Sequence, residues 1–377
     1  MVENLHLLHV FPTFGIGGAQ LRVTSIMNAL GSRASHTVMA LDGNYEAATR
    51  IQTAVSFRAV QPPAGKGGLC YVPRLLRIIQ SVKPAVLLTY NWGAIDAVVA
   101  ASLGRLCPVI HNECGFGSDE AFALKLRRVL TRRLVLGRIY RTVVVSTTLL
   151  KLAIERFRLP PERVQFIRTG VDVERFRPAR NFGLRTRFGL SESAVLFGYI
   201  GGLRPEKNLE LLIRSFGLAG LTNARLLLVG DGPCRQDLEL LVNQLGIGER
   251  VAFEGQVADA APYLNALDVF VMSSMTEQTP NALLESMACG LPAIATDAGD
   301  TSDILAECGW PAVAARDDLG LYVEKLQAMA RQPDLRAQVG AANRRRAVAD
   351  YSMERMVHEY EALYHAAARR QSLTNHS

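Results

Sequence analysis

The chain has 377 residues, 49% of them hydrophobic and 20% charged, a composition that suits two globular domains with ample cores. The six cysteines form no Cys-x-x-Cys pair and stand at no zinc-ligand spacing from a histidine, which argues against a disulfide or zinc framework and favours free thiols. The net charge of +7 is uneven, because residues 1–175 hold 22 Lys and Arg against 11 Asp and Glu, whereas residues 176–377 hold 20 against 24; the first half is therefore expected to meet an anionic partner.

The first half alternates strand-like and helix-like segments. Residues 5–11 form an apolar run that predicts a first core strand, and an amphipathic stretch at 19–30 follows a glycine turn. The alternation continues with predicted strands at 37–40, 84–89, 108–111 and 142–146, and with predicted helices at 73–81, 96–103 and 122–140. This βαβα rhythm predicts a parallel sheet covered by helices on both faces.

Turn signals interrupt the rhythm between residues 159 and 178, and a second alternation follows. Its predicted strands are 194–200, 225–229, 251–254, 269–272 and 293–295, and its predicted helices are 209–218, 235–245, 262–266 and 280–289. We therefore predict an α/β protein with two doubly wound parallel-sheet domains, at residues 1–175 and 176–345. The chain is predicted to be helical from 319 to 368, and residues 346–377 form a tail expected to pack back toward the first domain.

Ligands of open α/β sheets bind beyond the carboxyl ends of the strands, so the residues after each strand are the first candidates for a site. Gly201 and Gly202 follow strand 194–200 and would let the backbone approach a ligand closely. Arg204 offers a planar fork and Lys207 a compact charge, a pair that suits a diphosphate. The alternative is a solvated turn before a helix.

Two further glycine turns follow predicted strands. Gly230 and Gly232 come after strand 225–229 and could seat a nucleotide, although such turns close many βα units. Gly17 and Gly18 open the first helix, where paired glycines allow backbone contact with an anion, but the spacing departs from a dinucleotide fingerprint.

The stretch from Glu277 to Pro292 predicts a helix with an anion-binding N-terminus. Thr279 is a good N-cap, Pro280 a good first helical residue and Gly290 a good stop. The positive partial charge and free N–H groups of the first turn suit a phosphate. The predicted ligand contacts in this segment are Thr279, Pro280, Asn281, Ala282 and Leu283.

Two carboxylates, Glu277 and Glu285, flank this helix N-terminus and can each accept hydrogen bonds from sugar hydroxyls. The alternative is that Glu277 only faces the helix dipole and Glu285 lies on a solvated face. His111 ends strand 108–111, and its place at a strand end favours a functional role over a structural one.

The predicted helix at 122–140 is strongly basic. Residues 122–141 hold no acid and seven cations: Lys125, Arg127, Arg128, Arg132, Arg133, Arg138 and Arg141. Its apolar stripe is Leu126, Val129, Leu130 and Leu134. The pattern is that of a helix that docks reversibly on an anionic membrane surface, or of a solvated helix beside a cleft. Because the N-terminus lacks a signal-peptide layout and no apolar run is long enough to span a bilayer, we expect a cytoplasmic protein. Any contact with the membrane, through the basic helix, would then be peripheral at the inner face.

Taken in this order, the segments resemble the family 4 glycosyltransferases over nearly the whole chain. The most specific feature is the helix in which seven residues separate Glu277 from Glu285, with its Gly-Leu-Pro ending at 290–292. The other matching segments are 15–20, 111–112, 169–172, 201–208, 230–233 and 351–360. The resemblance implies the GT-B arrangement, in which two doubly wound domains face each other across a cleft.

The resemblance also implies a role for each matching residue. Arg204 and Lys207 would hold the donor diphosphate and stabilise the departing nucleotide. Glu285 would accept hydrogen bonds from the ribose, and Glu277 would face the donor sugar. His111 would contact the sugar or organise the reacting face.

The glycine pair of the first domain, Gly17 and Gly18, would approach the diphosphate or the sugar. Three residues depart from the common family pattern: Gln20, Gln278 and Thr279. The first of these removes any role for a carboxylate at that position. The other two leave the pocket that selects the sugar undefined.

The family resemblance implies a retaining transferase that needs no metal or other cofactor, because cations and helix N–H groups stabilise the leaving diphosphate. It would move a sugar from a nucleotide-diphosphate sugar to a hydroxyl of a saccharide or lipid-linked acceptor, in polysaccharide or glycolipid biosynthesis. The alternatives are a nucleotide-sugar epimerase of the same architecture and a non-catalytic nucleotide-sugar-binding protein. Nucleic acid is not an expected partner, because aromatic residues do not interleave with the basic stretch.

Overall fold

The computed structural model describes residues 5–65, 68, 70–115, 124–191, 193–305 and 309–374, apart from the side chains of 372–374. The chain divides into two compact units: unit 1 is Met1–Thr169 with Arg355–Ser377, and unit 2 is Gly170–Glu354. The first division lies slightly before the predicted boundary at residues 175 and 176. The chain returns to unit 1 at Arg355, later than the predicted start of the tail at residue 346. The N–H of Val171 donates to Tyr351 O at 2.7 Å, which holds the first part of the tail in unit 2.

Unit 1 is built on one parallel sheet. Its strands in the described chain are β1 (Leu5–Phe11), β2 (Ala34–Ala40), β3 (Ser56–Ala59), β4 (Val86–Tyr90), β5 (Val109–Glu113), β6 (Arg141–Val144) and β7 (Val164–Phe166). Their spatial order is β3-β2-β1-β4-β5-β6-β7. β4 and β5 are buried along their whole length, as expected for central strands that helices cover on both faces.

The helices of unit 1 connect these strands, and the end of the chain adds one more. They are α1 (Gly18–Leu30), α2 (Tyr71–Val82), α3 (Ile95–Gly104), α4 (Leu126–Leu136), α5 (Thr147–Glu155) and most of α14 (Met353–Thr374). Within unit 1, Glu361 of α14 pairs with Arg33 at 3.1 Å. Gln371 donates to Leu106 O at 3.1 Å. None of the helices in the described chain is both long and apolar enough to cross a membrane.

Unit 2 repeats the architecture with a smaller sheet. Its described strands are β8 (Val195–Ile200), β9 (Ala224–Val229), β10 (Val251–Gly255), β11 (Val269–Met272), β12 (Ala293–Thr296) and β13 (Val313–Ala314), in the order β10-β9-β8-β11-β12-β13. The helices are α6 (Phe182–Arg187), α7 (Leu209–Leu218), α8 (Arg235–Gln244), α9 (Ala261–Leu264), α10 (Asn281–Ala288), α11 (Thr301–Leu305), α12 (Leu319–Arg331) and α13 (Pro333–Asp350). The predicted fold class, two doubly wound parallel-sheet domains, is confirmed.

The strand order of unit 2 reverses between β8 and β11, which are neighbours in space although two strands separate them in sequence. In doubly wound sheets, ligands bind outside the carboxyl ends of the strands at such a switch point. The segments that follow β8 and β11 are therefore brought side by side by the topology alone.

Several predicted elements have different limits in the structure. The predicted strand 108–111 continues to Glu113, so His111 lies within β5 rather than at its end. Of the predicted helix 122–140, α4 covers Leu126–Leu136, and Phe122 lies outside the described residues. Six further elements, most of them short, were not predicted: β3, β7, β13, α5, α6 and α11.

Three histidines form a polar cluster inside unit 1. His9 Nδ1 lies 2.9 Å from the hydroxyl of Tyr90, and His9 Nε2 lies 3.1 Å from His36 Nδ1. His6 Nε2 lies 2.9 Å from Thr37 Oγ1. Burial lowers the pKa of His36 to about 4, with a further contribution from His6. Burial also lowers the pKa of His9 well below its ordinary value, so the cluster is neutral near pH 7.

Candidate functional site

The turn after β8 is held in a defined shape by a buried tyrosine. The hydroxyl of Tyr199 donates a hydrogen bond to Gly202 O at 3.0 Å. Gly201 has φ +156°, and a Cβ there would lie 2.6 Å from the same hydroxyl oxygen. A glycine is therefore required at this point, and the turn leads directly to the exposed side chain of Arg204.

The second glycine turn packs against the first. A Cβ on Gly230 would lie 1.9 Å from Gly201 O, and one on Gly232 would lie 2.4 Å from Leu203 O. The N–H of Leu203 donates to Asp231 O at 3.0 Å. Gly230 and Gly232 thus allow two backbones to touch, which gives them a supporting role beside any contact with a donor.

Lys207 and Glu277 form an ion pair although they are 70 positions apart in sequence. Lys207 ends the short 3-10 turn Pro205–Lys207 after β8, and Glu277 lies in the loop after β11. Lys207 Nζ lies 2.5 Å from Glu277 Oε1, and Ser274 Oγ donates to the same oxygen at 2.8 Å. Both side chains are mostly buried, at 23% and 12% exposure, so the pair is poorly screened by solvent.

Backbone hydrogen bonds fix the loop of Glu277 against the segment of Lys207. The N–H of Met275 donates to Glu206 O at 2.8 Å, and Ser273 Oγ donates to Lys207 O at 2.9 Å. On the other side, Gly299 has φ +58°, and a Cβ there would lie 2.1 Å from Glu277 O. The loop is therefore clamped between two segments remote in sequence, which sets the position of its carboxylate.

The helix after this loop begins one residue later than predicted. Pro280 is the N-cap and Asn281 the first residue of α10, so the prediction of Thr279 as N-cap and Pro280 as first helical residue was wrong by one position. Pro280 O accepts from the N–H groups of Leu283 and Leu284 at 3.2 and 3.3 Å. The first turn carries no acid, which leaves its positive partial charge uncompensated within the helix.

The predicted contact residues around this N-terminus differ in what they expose. The side chain of Leu283 is fully buried, and Pro280 is buried as well. Asn281 is exposed, whereas Thr279 and Ala282 are partly exposed. Leu283 therefore offers a donor no side-chain contact, and its N–H already donates to Pro280 O.

Glu285 occupies a different electrostatic environment from Glu277. Burial raises the pKa of Glu285 to about 7; Arg175 opposes this increase and Asp259 adds to it. Arg175 and Asp259 pair with each other at 2.7 Å. The structure thus brings Lys207 and Glu277 into contact, while the charges that act on Glu285 are those of Arg175, early in unit 2, and Asp259, which follows β10.

Arg204 and Glu277 both influence the pKa of the Tyr199 hydroxyl, in opposite directions. Glu277 and Glu206 both contribute to raising the pKa of the Tyr199 hydroxyl after the larger effect of burial, and Arg204 opposes them. Among the described residues, the guanidinium of Arg204 pairs with Glu206 at 4.0 Å, and its side chain is 65% exposed. Its charge is therefore available to a ligand at the end of β8.

In unit 1, the predicted glycine pair starts α1, with Gly17 as N-cap in extended conformation. A Cβ on Gly17 would lie 2.7 Å from Gln20 Oε1, and Gln20 Nε2 donates to Thr13 O at 3.0 Å. Gln20 therefore closes over the backbone of Gly17, and Gly18 begins the helix itself.

His111 is fully buried inside unit 1. Its Nδ1 lies 2.9 Å from Thr89 Oγ1, and its Nε2 lies 3.4 Å from Glu113 Oε2. Glu113 also pairs with the buried Arg132 at 3.1 Å. These enclosed contacts are those of a structural histidine, and a role of His111 toward the sugar or the reacting face stays a prediction.

Sequence reasoning missed the residues that support the site rather than line it. Tyr199, Ser274 and Gly299 shape the two loops, and Glu113 with Arg132 encloses His111. Of these five residues, only Gly299 could have been identified from sequence, because it is a glycine that follows a predicted strand. The other four act through partners that the sequence pattern does not reveal. In the described part of the chain, no three His, Cys, Asp or Glu side chains are grouped so that they could hold a metal ion.

Two family models match the sequence of this chain. The family model described as Glycosyltransferase Family 4 matches residues 16–175, and the one described as Glycosyl transferases group 1 matches residues 194–332. N-acetyl-alpha-D-glucosaminyl L-malate synthase of Bacillus anthracis is 29% identical over 189 residues, which are 49% of each chain. A GDP-mannose-dependent alpha-mannosyltransferase of Mycobacterium tuberculosis is 31% identical over 240 residues, 62% of this chain and 60% of that one.

The matches span about half to three fifths of the length of these relatives. Among solved structures, HepE of Anabaena in complex with UDP has a TM-score of 0.82 at 16% identity, covering 96% of this chain and 100% of that one. That likeness shows the fold, the GT-B fold of glycosyltransferases. With two family models that together match most of its length, the chain belongs to the family 4 glycosyltransferases.

Proposed function

We propose that this protein transfers a sugar from a nucleotide-diphosphate sugar to a hydroxyl of a saccharide or lipid-linked acceptor. The observation that supports it best is the ion pair of Lys207 and Glu277 at the switch point of the unit 2 sheet. A cation and a carboxylate side by side match the two halves of such a donor, its diphosphate and its sugar hydroxyls.

Lys207 is proposed to bind the donor diphosphate. In the structure its ammonium is paired with Glu277 at the edge of the sheet. An arriving diphosphate brings more negative charge than one carboxylate and would draw the ammonium toward it. Arg204, exposed on the same turn, adds a second cation, so charge that develops on the leaving nucleotide is stabilised in the transition state.

Glu277 is proposed to orient the donor sugar. Within the described chain, its hydrogen bonds from Lys207 and Ser274 both end on Oε1. A carboxylate has further acceptor capacity on Oε2, which can receive a sugar hydroxyl. The clamp around its loop would keep that oxygen in place during turnover.

Glu285 is proposed to bind the ribose. A carboxyl group with a pKa of about 7 is partly protonated near neutral pH, and it can donate to one ribose hydroxyl while accepting from another. The N–H groups at the start of α10, including those of Asn281 and Ala282, would contribute to binding the phosphates.

We propose that transfer retains the anomeric configuration and needs no metal, with Arg204, Lys207 and the N-terminus of α10 supplying the positive charge. The positive charge of residues 1–175 supports an anionic acceptor, and a lipid-linked saccharide diphosphate has that chemistry. Such an acceptor would be met at the anionic inner surface of a membrane.

A thermal-shift panel of UDP-, GDP-, ADP- and dTDP-sugars tests the donor, because a ligand that binds only the folded state raises the melting temperature. Lys207→Ala should lose the shift and at least about a thousandfold in transfer rate, a loss of about 4 kcal/mol in transition-state stabilisation. Lys151→Ala, an exposed lysine of unit 1, is the control. Near-normal turnover of Lys207→Ala would refute the diphosphate assignment.

Product analysis separates the remaining functions. Transfer with retention should give a product whose anomeric proton signal matches the configuration of the donor, with full activity in the presence of a chelator. An epimerised sugar formed from the donor alone, or donor binding without transfer to any saccharide or lipid-linked acceptor, would contradict the proposal.

A further inference from the structure

Helix α1 of unit 1 carries an arginine on its buried face. Arg22 is 9% exposed and shares that face with the buried Ile26 and Leu30, which follow it at intervals of four residues. The amphipathic pattern of the helix calls for an apolar side chain at this position. A buried cation lowers stability unless a partner in the fold or a ligand compensates for its charge.

The hydrogen bonds of Arg22 involve no carboxylate in the described part of the chain. Its Nη1 donates to Thr169 Oγ1 at 3.2 Å, and its Nη2 donates to Cys114 Sγ at 2.7 Å. Its Nε is buried and has no hydrogen-bond partner among the same residues. A guanidinium has five N–H groups in a fixed fork, so these two bonds use fewer than half of its donors.

The described groups around Arg22 do not neutralise its charge. Burial raises the pKa of the Cys114 thiol despite the opposing effect of Arg22, so this thiol keeps its proton near pH 7. Burial also raises the pKa values of the Tyr90 and Tyr360 hydroxyls, which both act on Arg22. Glu113 acts on Cys114 but pairs with a different arginine. Arg22 is therefore a cation enclosed among neutral groups.

Arg22 lies where the strand order of the unit 1 sheet reverses. The reversal falls between β1 and β4, which are neighbours in space. Helix α1 follows β1, and Tyr90, whose hydroxyl acts on Arg22, ends β4. Cys114 directly follows β5, and its N–H donates to Asn91 Oδ1 at 2.7 Å. The guanidinium is thus at the carboxyl ends of the strands beside a switch point, where doubly wound sheets bind their ligands.

We propose that Arg22 is the centre of an anion-binding subsite of unit 1 that takes a phosphate or diphosphate group of the acceptor. A phosphate oxygen is a stronger acceptor than a neutral thiol and would replace Cys114 on Nη2. The planar fork of the guanidinium can hold two phosphate oxygens at once. The Thr169 hydroxyl, which accepts from Nη1, keeps its own proton to donate to the same group.

The inference deepens the proposed function and rests on it for the identity of the ligand. The donor diphosphate is assigned to Arg204 and Lys207 of unit 2, so a phosphate site in unit 1 is left for the acceptor. A diphosphate spreads more negative charge over more oxygens than a carboxylate does, and it therefore matches a guanidinium and a hydroxyl side by side. The subsite itself does not depend on catalysis.

Calorimetric titration with inorganic pyrophosphate tests the subsite. The full chain carries Arg204→Ala and Lys207→Ala, which remove the cations of the unit 2 site. We expect pyrophosphate to bind this background, and Arg22→Met should weaken that binding about ten- to a hundredfold, because charge-assisted hydrogen bonds are lost. Arg77→Met removes an exposed arginine of α2; it is the matched control and should bind like the background.

Two further variants separate binding from a structural role. Cys114→Ala removes the thiol and keeps the cation, so it should bind pyrophosphate at least as tightly as the background. Arg22→Lys keeps the charge without the fork and should retain only part of the binding. Without ligand, Arg22→Met should melt at the same temperature as the background or higher, since it removes a buried charge that has no counter-ion.

Three outcomes would overturn the proposal. They are absence of pyrophosphate binding to the background, equal binding after Arg22→Met, and a lower melting temperature of Arg22→Met with unchanged binding by Arg22→Lys. Nucleotide-sugar thermal shifts distinguish the acceptor from the donor as the source of the phosphate. In an otherwise unchanged chain, Arg22→Met should keep the donor shift that Lys207→Ala loses, and loss of that shift would contradict the acceptor assignment. Pyrophosphate binding that depends on Arg22 should persist even if no donor is found.

Discussion

Replacing Glu285 by glutamine should stabilise the ligand-free protein at alkaline pH. Burial raises the pKa of this carboxyl from 4.5 to about 7, so the folded state resists its ionisation while the unfolded state does not. Between pH 4.5 and 7 the unfolded chain releases its proton first, and the stability of the wild type falls as pH rises through this window. The penalty is complete above pH 7 and absent below 4.5.

The size of the effect follows from the pKa difference. A difference of about 2.5 units at about 1.4 kcal/mol each gives about 3 kcal/mol at pH 8 and about 1 kcal/mol or less at pH 5. Glutamine has the same shape and no charge, so it should remove most of this penalty. For a unit the size of Gly170–Glu354, about 3 kcal/mol corresponds to about 6–12 °C in melting temperature.

Urea unfolding at pH 5 and pH 8 measures this difference. The two tryptophans of the chain are Trp92 and Trp310, so a Trp92→Phe background leaves Trp310 as the reporter of unit 2. Glu249→Gln, at an exposed glutamate of the same unit, is the matched control. An equal change in stability of Glu285→Gln at both pH values, or a destabilised unit 2 at pH 8, would contradict the raised pKa of Glu285. A gain in stability accompanied by a loss of donor binding would be the expected signature of a residue kept for function.

Three more perturbations test other parts of the structure. Gly299→Ala should lower kcat at least about tenfold, because its Cβ would push Glu277 out of position. Gly220→Ala is the control, since Gly220 has a similar positive φ but open space around it, and it should cost only about 1 kcal/mol of stability. Equal kcat values of the two variants would contradict the role of Gly299 in holding the Glu277 loop. Acidification from pH 7 to 4 should destabilise unit 1 by about 3 kcal/mol, since the unfolded chain protonates His36 near pH 6.5 and the folded state only near 4. In urea unfolding, the stability of His36→Gln should therefore depend less on pH than that of the exposed control His358→Gln. An equal pH dependence of the two variants would show that His36 does not cause the acid destabilisation. Arg132→Ala should lower the free energy of unfolding by about 3–5 kcal/mol, because it leaves the buried Glu113 carboxylate without its cation. Arg133→Ala, on the outer face of α4, should lower it by less than about 0.5 kcal/mol. Equal losses of stability in thermal melts would refute the inward placement of Arg132.

The sheets could be predicted from sequence because central parallel strands are continuous apolar runs. Strand Leu5–Phe11 and strand Val269–Met272 were predicted with the limits that the structure shows. Ser56–Ala59 was missed because an edge strand that is mostly exposed carries no such run. Short strands of this kind are specified by pairing with a neighbour, here β2, and pairing is not written in local composition.

The part of the candidate site that sheet topology positions could be predicted from the sequence. Lys207 and Glu277 follow strands that adjoin at the switch point, so strand-end reasoning brings them together. Glu285 could not be placed in this way, because its environment depends on Arg175 and Asp259, which come from segments outside the motif. The inward turn of Arg132 was equally hidden, since helical periodicity distinguishes polar from apolar faces but not a buried arginine from an exposed one.

The most direct test of the account is a crystal structure of the protein with the nucleotide-sugar that gives the largest thermal shift. The account predicts a phosphate oxygen within about 3 Å of Lys207 Nζ, a sugar hydroxyl on the Glu277 carboxylate and the ribose against Glu285. A donor bound elsewhere, with the ion pair of Lys207 and Glu277 unchanged, would contradict it.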